Sequence, residues 1–101
     1  MSNTKYHQWL CELTSTPTAT GKEDRVIAWI NRYVKSKRNV IMRADKYGNL
    51  VLCRKNISVS NSPIYITAHM DHPAFVVHEI IDDKTLIAEF RGGVNPEYFN
   101  G

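Results

Sequence analysis

Two histidines and an aspartate stand close together in the segment Ala68-His69-Met70-Asp71-His72. Imidazole is a good zinc ligand, and a nearby carboxylate can hold the other ring nitrogen and so fix the tautomer and orientation of the ring. His69 and Asp71 could therefore supply one metal ligand and the carboxylate that supports it. A catalytic zinc needs about three protein ligands, so this cluster does not easily make a complete site.

The same residues also have ordinary structural interpretations. A lone histidine at the end of a strand is more often a hydrogen-bonded structural residue than a ligand. Asp71-His72-Pro73 could form a turn in which the carboxylate accepts backbone N–H groups. His72 could add a metal ligand, although a surface or supporting position suits it better. On these residues alone, the metal site and the turn both stay open.

The cluster follows Ile64-Tyr65-Ile66-Thr67-Ala68, a β-branched and nearly apolar run that predicts a strand covered on both faces. Ligands of open α/β sheets bind at the carboxyl ends of strands, which makes the position functionally plausible. A strand of this kind needs helices on both faces of its sheet, and none is predicted after it. We therefore expect an incomplete α/β fold of two helices followed by about five strands.

Two helices are predicted before that strand. Residues 4–15 carry one apolar stripe at helical spacing. Thr20-Gly21-Lys22-Glu23 has the form of a capping box, in which the Thr20 oxygen caps a backbone N–H and Glu23 reaches back. The apolar residues that follow recur at helical spacing and predict one buried face: Val26, Ile27, Ile30, Tyr33 and Val34.

The rest of the chain has the pattern of short strands and turns. Residues 39–44 and 50–54 flank a Gly-Asn turn and predict a hairpin. Residues 74–81 and 85–90 predict a second pair of strands. Residues 56–62 are expected to form a polar loop.

Composition and charge argue against several classes of protein. No apolar run reaches the roughly 18 residues of a membrane-spanning helix, and no apolar leader follows the polar N-terminus, so we expect a cytoplasmic protein that binds no membrane. The net charge of +3 includes a basic cluster at 35–38, where cations complement a predicted helix end, so no nucleic acid is expected. Cys11 and Cys53 are predicted to be buried thiols.

The order of these motifs resembles the glutamyl and TET-type aminopeptidases, which are zinc- or cobalt-dependent dinuclear exopeptidases. Ala68-His69-Met70-Asp71 is similar to the metal motif of that family. The other similar segments are Leu13-Thr14, Thr20-Gly21-Lys22-Glu23, Asp45-Lys46-Tyr47-Gly48-Asn49-Leu50, Phe75-Val76-Val77 and Gly92-Gly93-Val94-Asn95-Pro96. His72-Pro73 departs from the family, which usually has glutamate after the aspartate; the pattern here is closer to the related aspartyl aminopeptidases.

The resemblance implies a fold and a function. Residues 1–73 would be the N-terminal part of a three-layer zinc-exopeptidase-like domain, and residues 74–101 the start of an inserted β-rich assembly domain. His69 would bind one of two divalent metal ions, zinc or cobalt, and Asp71 would be the catalytic-site carboxylate that orients it. Family members hydrolyse the N-terminal residue of peptides and assemble into homo-oligomers.

In that family the remaining ligands lie further along the chain than residue 101. We therefore expect the parent protein to be a metallo-aminopeptidase, and this segment alone to be inactive and to bind metal weakly or not at all. A non-catalytic binding or assembly module built on the same α/β start is the alternative. A small nucleic-acid-binding domain ranks last, because only the pI of about 9.0 favours it.

Overall fold

The computed structural model describes residues 3–56 and 63–99. These residues form a small mixed α/β protein with two helices and two antiparallel sheets of two strands each. The elements in chain order are α1 (Asn3–Thr14), α2 (Asp24–Lys35), β1 (Val40–Ala44), β2 (Leu50–Arg54), β3 (Ala74–Ile80), β4 (Leu86–Arg91) and a 3-10 helix (Pro96–Phe99). The predicted order of helices before strands is confirmed.

The chain divides into two compact units. One contains the described residues of Met1–Ile27 and His69–Gly101, and the other contains those of Ala28–Ala68. The candidate metal ligand and its neighbours all belong to the first unit. The predicted domain boundary at residue 73 stays a prediction.

The start of α2 differs from the predicted capping box. The helix begins at Asp24, and the Glu23 carboxylate accepts the backbone N–H of Gly21 at 2.8 Å, not that of Thr20. Gly21 has a φ of +77° in a turn closed by the Lys22 N–H on the Ala19 carbonyl. Because this turn redirects the chain just before the helix, the Thr20 hydroxyl points elsewhere, and it donates to Asp71.

The first sheet is the predicted hairpin in the unit of Ala28–Ala68. β1 and β2 pair in register from Val40 opposite Arg54 to Ala44 opposite Leu50. In the connecting turn the Asp45 carboxylate accepts the backbone N–H groups of Tyr47 and Asn49 at 2.8 and 2.9 Å. The Gly-Asn pair on which the hairpin prediction rests lies in this turn, where Gly48 has a φ of +88°.

The second sheet lies in the unit that holds the candidate site. β3 and β4 pair from Ala74 opposite Arg91 to Ile80 opposite Leu86, with a bulge between Val77 and Glu79. Three aromatic rings form a cluster on this hairpin and the 3-10 helix, with centroids 4.5 to 5.4 Å apart: Phe75, Phe90 and Phe99. The cluster joins the end of the described chain to the hairpin.

The strand predicted over residues 64–68 is wrong, since residues 63–73 contain no strand. A strand needs a hydrogen-bonded neighbour, and the residues that the structure describes provide none for this segment. Ile64 and Ile66 are 92% and 95% exposed as a result. The predicted loop over 56–62 lies, beyond Asn56, outside the described residues.

Few side chains of residues 3–56 and 63–99 are buried. Among the described residues, Thr18, Ala19 and Val26 are buried. Cys11 and Cys53, predicted to be buried, are both exposed, because α1 buries no side chain and β2 is exposed along its length after Leu50. No helix in the described ranges is long and apolar enough to cross a membrane.

Candidate metal-ligand site

The structure brings the predicted ligand and its predicted supporting carboxylate together. His69 Nδ1 lies 3.1 Å from Asp71 Oδ1. Since a carboxylate only accepts hydrogen bonds at neutral pH, this contact requires the proton of a neutral imidazole on Nδ1 and leaves the lone pair on Nε2. The His69 side chain is 82% exposed, so Nε2 is open to solvent. When the ring is neutral, this contact therefore leaves Nε2 unprotonated and able to bind a metal ion.

Asp71 is held on its second oxygen by a residue far away in the sequence. The Thr20 hydroxyl donates to Asp71 Oδ2 at 2.6 Å across 51 residues of chain. This hydrogen bond, and next the one from His69, lowers the pKa of the Asp71 carboxyl below its ordinary value. Each carboxylate oxygen thus has one side-chain partner, and both stabilise the charged form.

The backbone of Thr20 is in turn bound to the second sheet. Arg91, the last residue of β4, donates from Nη1 to the Thr20 carbonyl at 2.9 Å. The same guanidinium donates from Nε and Nη2 to Glu89 Oε2 at 3.1 and 3.0 Å. The fork geometry of arginine fixes the direction of Nη1 when its other nitrogens are bound. The β4 strand therefore helps to position the Thr20 loop.

Two contacts hold the segment around Asp71, one on each side of this residue. The Thr18 hydroxyl donates to the Met70 carbonyl at 3.2 Å. Gly92 packs so closely on Pro73 that a Cβ at Gly92 would lie 2.7 Å from Pro73 Cβ. The segment that carries His69 and Asp71 is thus connected at one end to a buried loop and at the other to the end of β4.

The remaining ligands of a metal site are not gathered here. No group of three or more histidine, cysteine or carboxylate side chains within residues 3–56 and 63–99 could hold a metal ion. His72 is exposed, and no contact assigns it a role. The donor chemistry of His69 fits one position in the coordination of zinc or cobalt, and the described residues do not complete that coordination.

Sequence reasoning missed Thr20 and Arg91 as parts of this site. The sequence around Thr20 predicts a capping box, because threonine followed three residues later by glutamate is typical of one. Its contact with Asp71 and that of Arg91 with Thr20 span 51 and 71 residues. No local pattern in one sequence carries information about contacts at that separation.

Comparison of the chain with family models, with curated proteins and with solved structures gives no match.

Proposed function

We propose that the chain contributes His69 as a ligand to one of two divalent metal ions in an aminopeptidase of the glutamyl or TET type, acting on peptides. The observation that carries the proposal is the contact between His69 Nδ1 and Asp71 Oδ1 at 3.1 Å. It is the arrangement expected of a metal-binding histidine whose other nitrogen is held by a carboxylate. The resemblance of the surrounding motifs to this family supplies the reaction class.

The chain's own residues have separate tasks in this function. Asp71 keeps the proton on Nδ1 of His69, so that the Nε2 lone pair points outward as the ligand. Thr18 and Pro73 anchor the backbone before and after Asp71. When bound, a pair of divalent ions would polarise the scissile carbonyl and lower the pKa of a water molecule. The remaining ligands would come from outside the described residues.

The test uses the protein encoded by the complete reading frame that contains residues 1–101. Hydrolysis of aminoacyl nitroanilides is measured with zinc or cobalt, after chelation, and with N-acetylated substrates as the control for a free amino terminus. We expect turnover that chelation abolishes and that His69→Ala lowers by about 100-fold or more. His78→Ala is the matched control, because His78 is an exposed histidine of the β3 bulge. Metal-independent turnover, or equal activity in the two variants, would contradict the proposal.

A non-catalytic assembly module is the second candidate, and the exposed apolar surface of the second sheet favours it. The large exposed apolar side chains of β3 and β4 are Phe75, Val77, Ile80, Leu86 and Ile87. Apolar surface of this kind on a short hairpin is suited to association with further protein. The same assay separates the candidates, because a folded, oligomeric protein without any metal-dependent turnover would support the module.

A further inference from the structure

We propose that Thr20 is a positioning residue whose hydroxyl sets the plane of the Asp71 carboxylate and thereby selects the tautomer of His69 that leaves Nε2 open. The use of that tautomer for metal binding rests on the function proposed above. The positioning itself rests on a chain of two hydrogen bonds that connects the Thr20 hydroxyl, the Asp71 carboxylate and the His69 ring.

One contact would not define the carboxylate. The terminal torsion of aspartate is broad, so a carboxylate that is hydrogen-bonded only through Oδ1 can still rotate about its Cβ–Cγ bond. The hydrogen bond from Thr20 to Oδ2, at 2.6 Å, has the length of a charge-assisted O–H to carboxylate bond. With both oxygens bound, Oδ1 has a set direction toward His69 Nδ1.

The Thr20 hydroxyl is itself held in place from the backbone. Its two preceding residues, Thr18 and Ala19, are buried, and its carbonyl accepts the Arg91 guanidinium. Gly21 turns the chain immediately afterwards with a φ of +77°. The β-branched side chain has a restricted first torsion. These constraints therefore set the direction of the Thr20 hydroxyl independently of its contact with Asp71.

Packing does not account for this placement. The Thr20 side chain is exposed, so replacing it removes little buried surface. The His69 ring is also exposed, and an exposed neutral imidazole exchanges between its two tautomers unless a fixed acceptor selects one. Asp71 Oδ1 can be this fixed acceptor only if its position is defined, and the hydrogen bond from Thr20 to the same carboxylate defines it.

The test is the tautomer of His69 in the metal-free chain, read from the long-range nitrogen–proton NMR spectrum of its two ring nitrogens well above the pH at which imidazole is protonated. We expect the Nδ1–H form to dominate in the native chain. Thr20→Val keeps the shape and removes the hydroxyl, and it should lower the ratio of Nδ1–H to Nε2–H by about threefold, part of the contribution of one hydrogen bond. Thr20→Ser should restore the native ratio.

Thr16→Val is the matched control, because the Thr16 hydroxyl donates to the Glu12 carbonyl at the end of α1, away from Asp71. If Thr20→Val lost the native fold, judged by its amide spectrum, Thr20→Ala and the serine rescue would carry the comparison. An unchanged ratio without the hydroxyl, a failed rescue by serine, or an equal shift in Thr16→Val would overturn the proposal.

The outcome is independent of the aminopeptidase assay, because the tautomer is read without metal. A lowered ratio in Thr20→Val together with no metal-dependent turnover of the complete protein would mean that Thr20 positions His69 for another purpose. Metal-dependent turnover of the complete protein, together with an unchanged tautomer ratio in Thr20→Val, would support the proposed function and contradict the positioning role of Thr20. In an active complete protein, Thr20→Val should weaken metal binding by about 10-fold and Thr20→Ser should not.

Discussion

The close approach of Gly92 to Pro73 predicts that this contact holds the segment carrying His69 and Asp71 in place. Gly92 follows β4 directly and has a φ of +149°, a conformation that side chains bearing a Cβ rarely adopt. A Cβ there would lie 2.7 Å from Pro73 Cβ, 2.9 Å from Pro73 Cα and 3.2 Å from the Phe90 ring. Gly92→Ala should therefore detach the end of β4 from the segment that carries Asp71.

The size of the effect follows from these distances. Carbon atoms pack at about 3.5 to 4.0 Å, so the new methyl overlaps a proline ring and its backbone, neither of which can rotate away. Overpacking of this kind costs about 1 to 3 kcal/mol, and a residue with a side chain in an unfavourable φ region costs about 1 to 2 kcal/mol more. We expect Gly92→Ala to destabilise this unit by about 3 kcal/mol in total.

The assay is amide hydrogen exchange of the β3 and β4 backbone, which reports the free energy of opening this hairpin. A loss of about 3 kcal/mol corresponds to roughly 100-fold faster exchange for amides that open with the unit. Gly93→Ala is the control, since a Cβ at Gly93 meets nothing within 4 Å, and its effect should stay within about 0.5 kcal/mol. Equal exchange in the native chain and in Gly92→Ala, or equal losses in both variants, would refute this reasoning.

Three further predictions concern the core, the first hairpin and the isolated chain. Val26→Ala removes two methyl groups from a buried side chain and should cost about 2 kcal/mol in urea unfolding, whereas Val77→Ala, at an exposed position, should cost less than about 1 kcal/mol. The pKa of Asp45 is lowered below 3.8, mainly by the hydrogen bond from the Asn49 side chain. The Asp45 carboxylate therefore stabilises the β1–β2 hairpin fully above pH 3.8, and this stabilisation is lost as the pH falls through the lower pKa of the folded state. NMR shifts of the hairpin should show this loss, and the Asp45→Asn variant should not show it. The isolated 101-residue chain should hydrolyse no aminoacyl nitroanilide above background with zinc or cobalt, and clear turnover by pure material would mean that the site is completed within it.

Local chemistry explains which parts of the fold were predictable. The hairpin around Asp45 forms through hydrogen bonds between residues at most four positions apart, and such bonds leave a pattern in the sequence. The second helix was found from its apolar spacing for the same reason. In these elements the residues that decide the structure are close in sequence.

The features that the sequence did not predict correctly depend on residues that are distant in sequence. Residues 64–68 have the composition of a buried strand, but composition does not provide a neighbouring strand, and the described residues contain none that pairs with them. Thr20 has the sequence context of a helix cap, yet its hydroxyl serves a carboxylate 51 residues away. His69 and Asp71 were identified because they lie two positions apart. The residues that position them were missed because they are distant in sequence.

The most direct test of the central claim is the metal content of the protein encoded by the complete reading frame. Metal is counted per chain by mass spectrometry after purification and dialysis against zinc or cobalt. We predict two equivalents in the native protein and in His78→Ala, and the loss of one equivalent or more in His69→Ala. Two equivalents retained in His69→Ala, or none in the native protein, would contradict the assignment of His69 as a metal ligand.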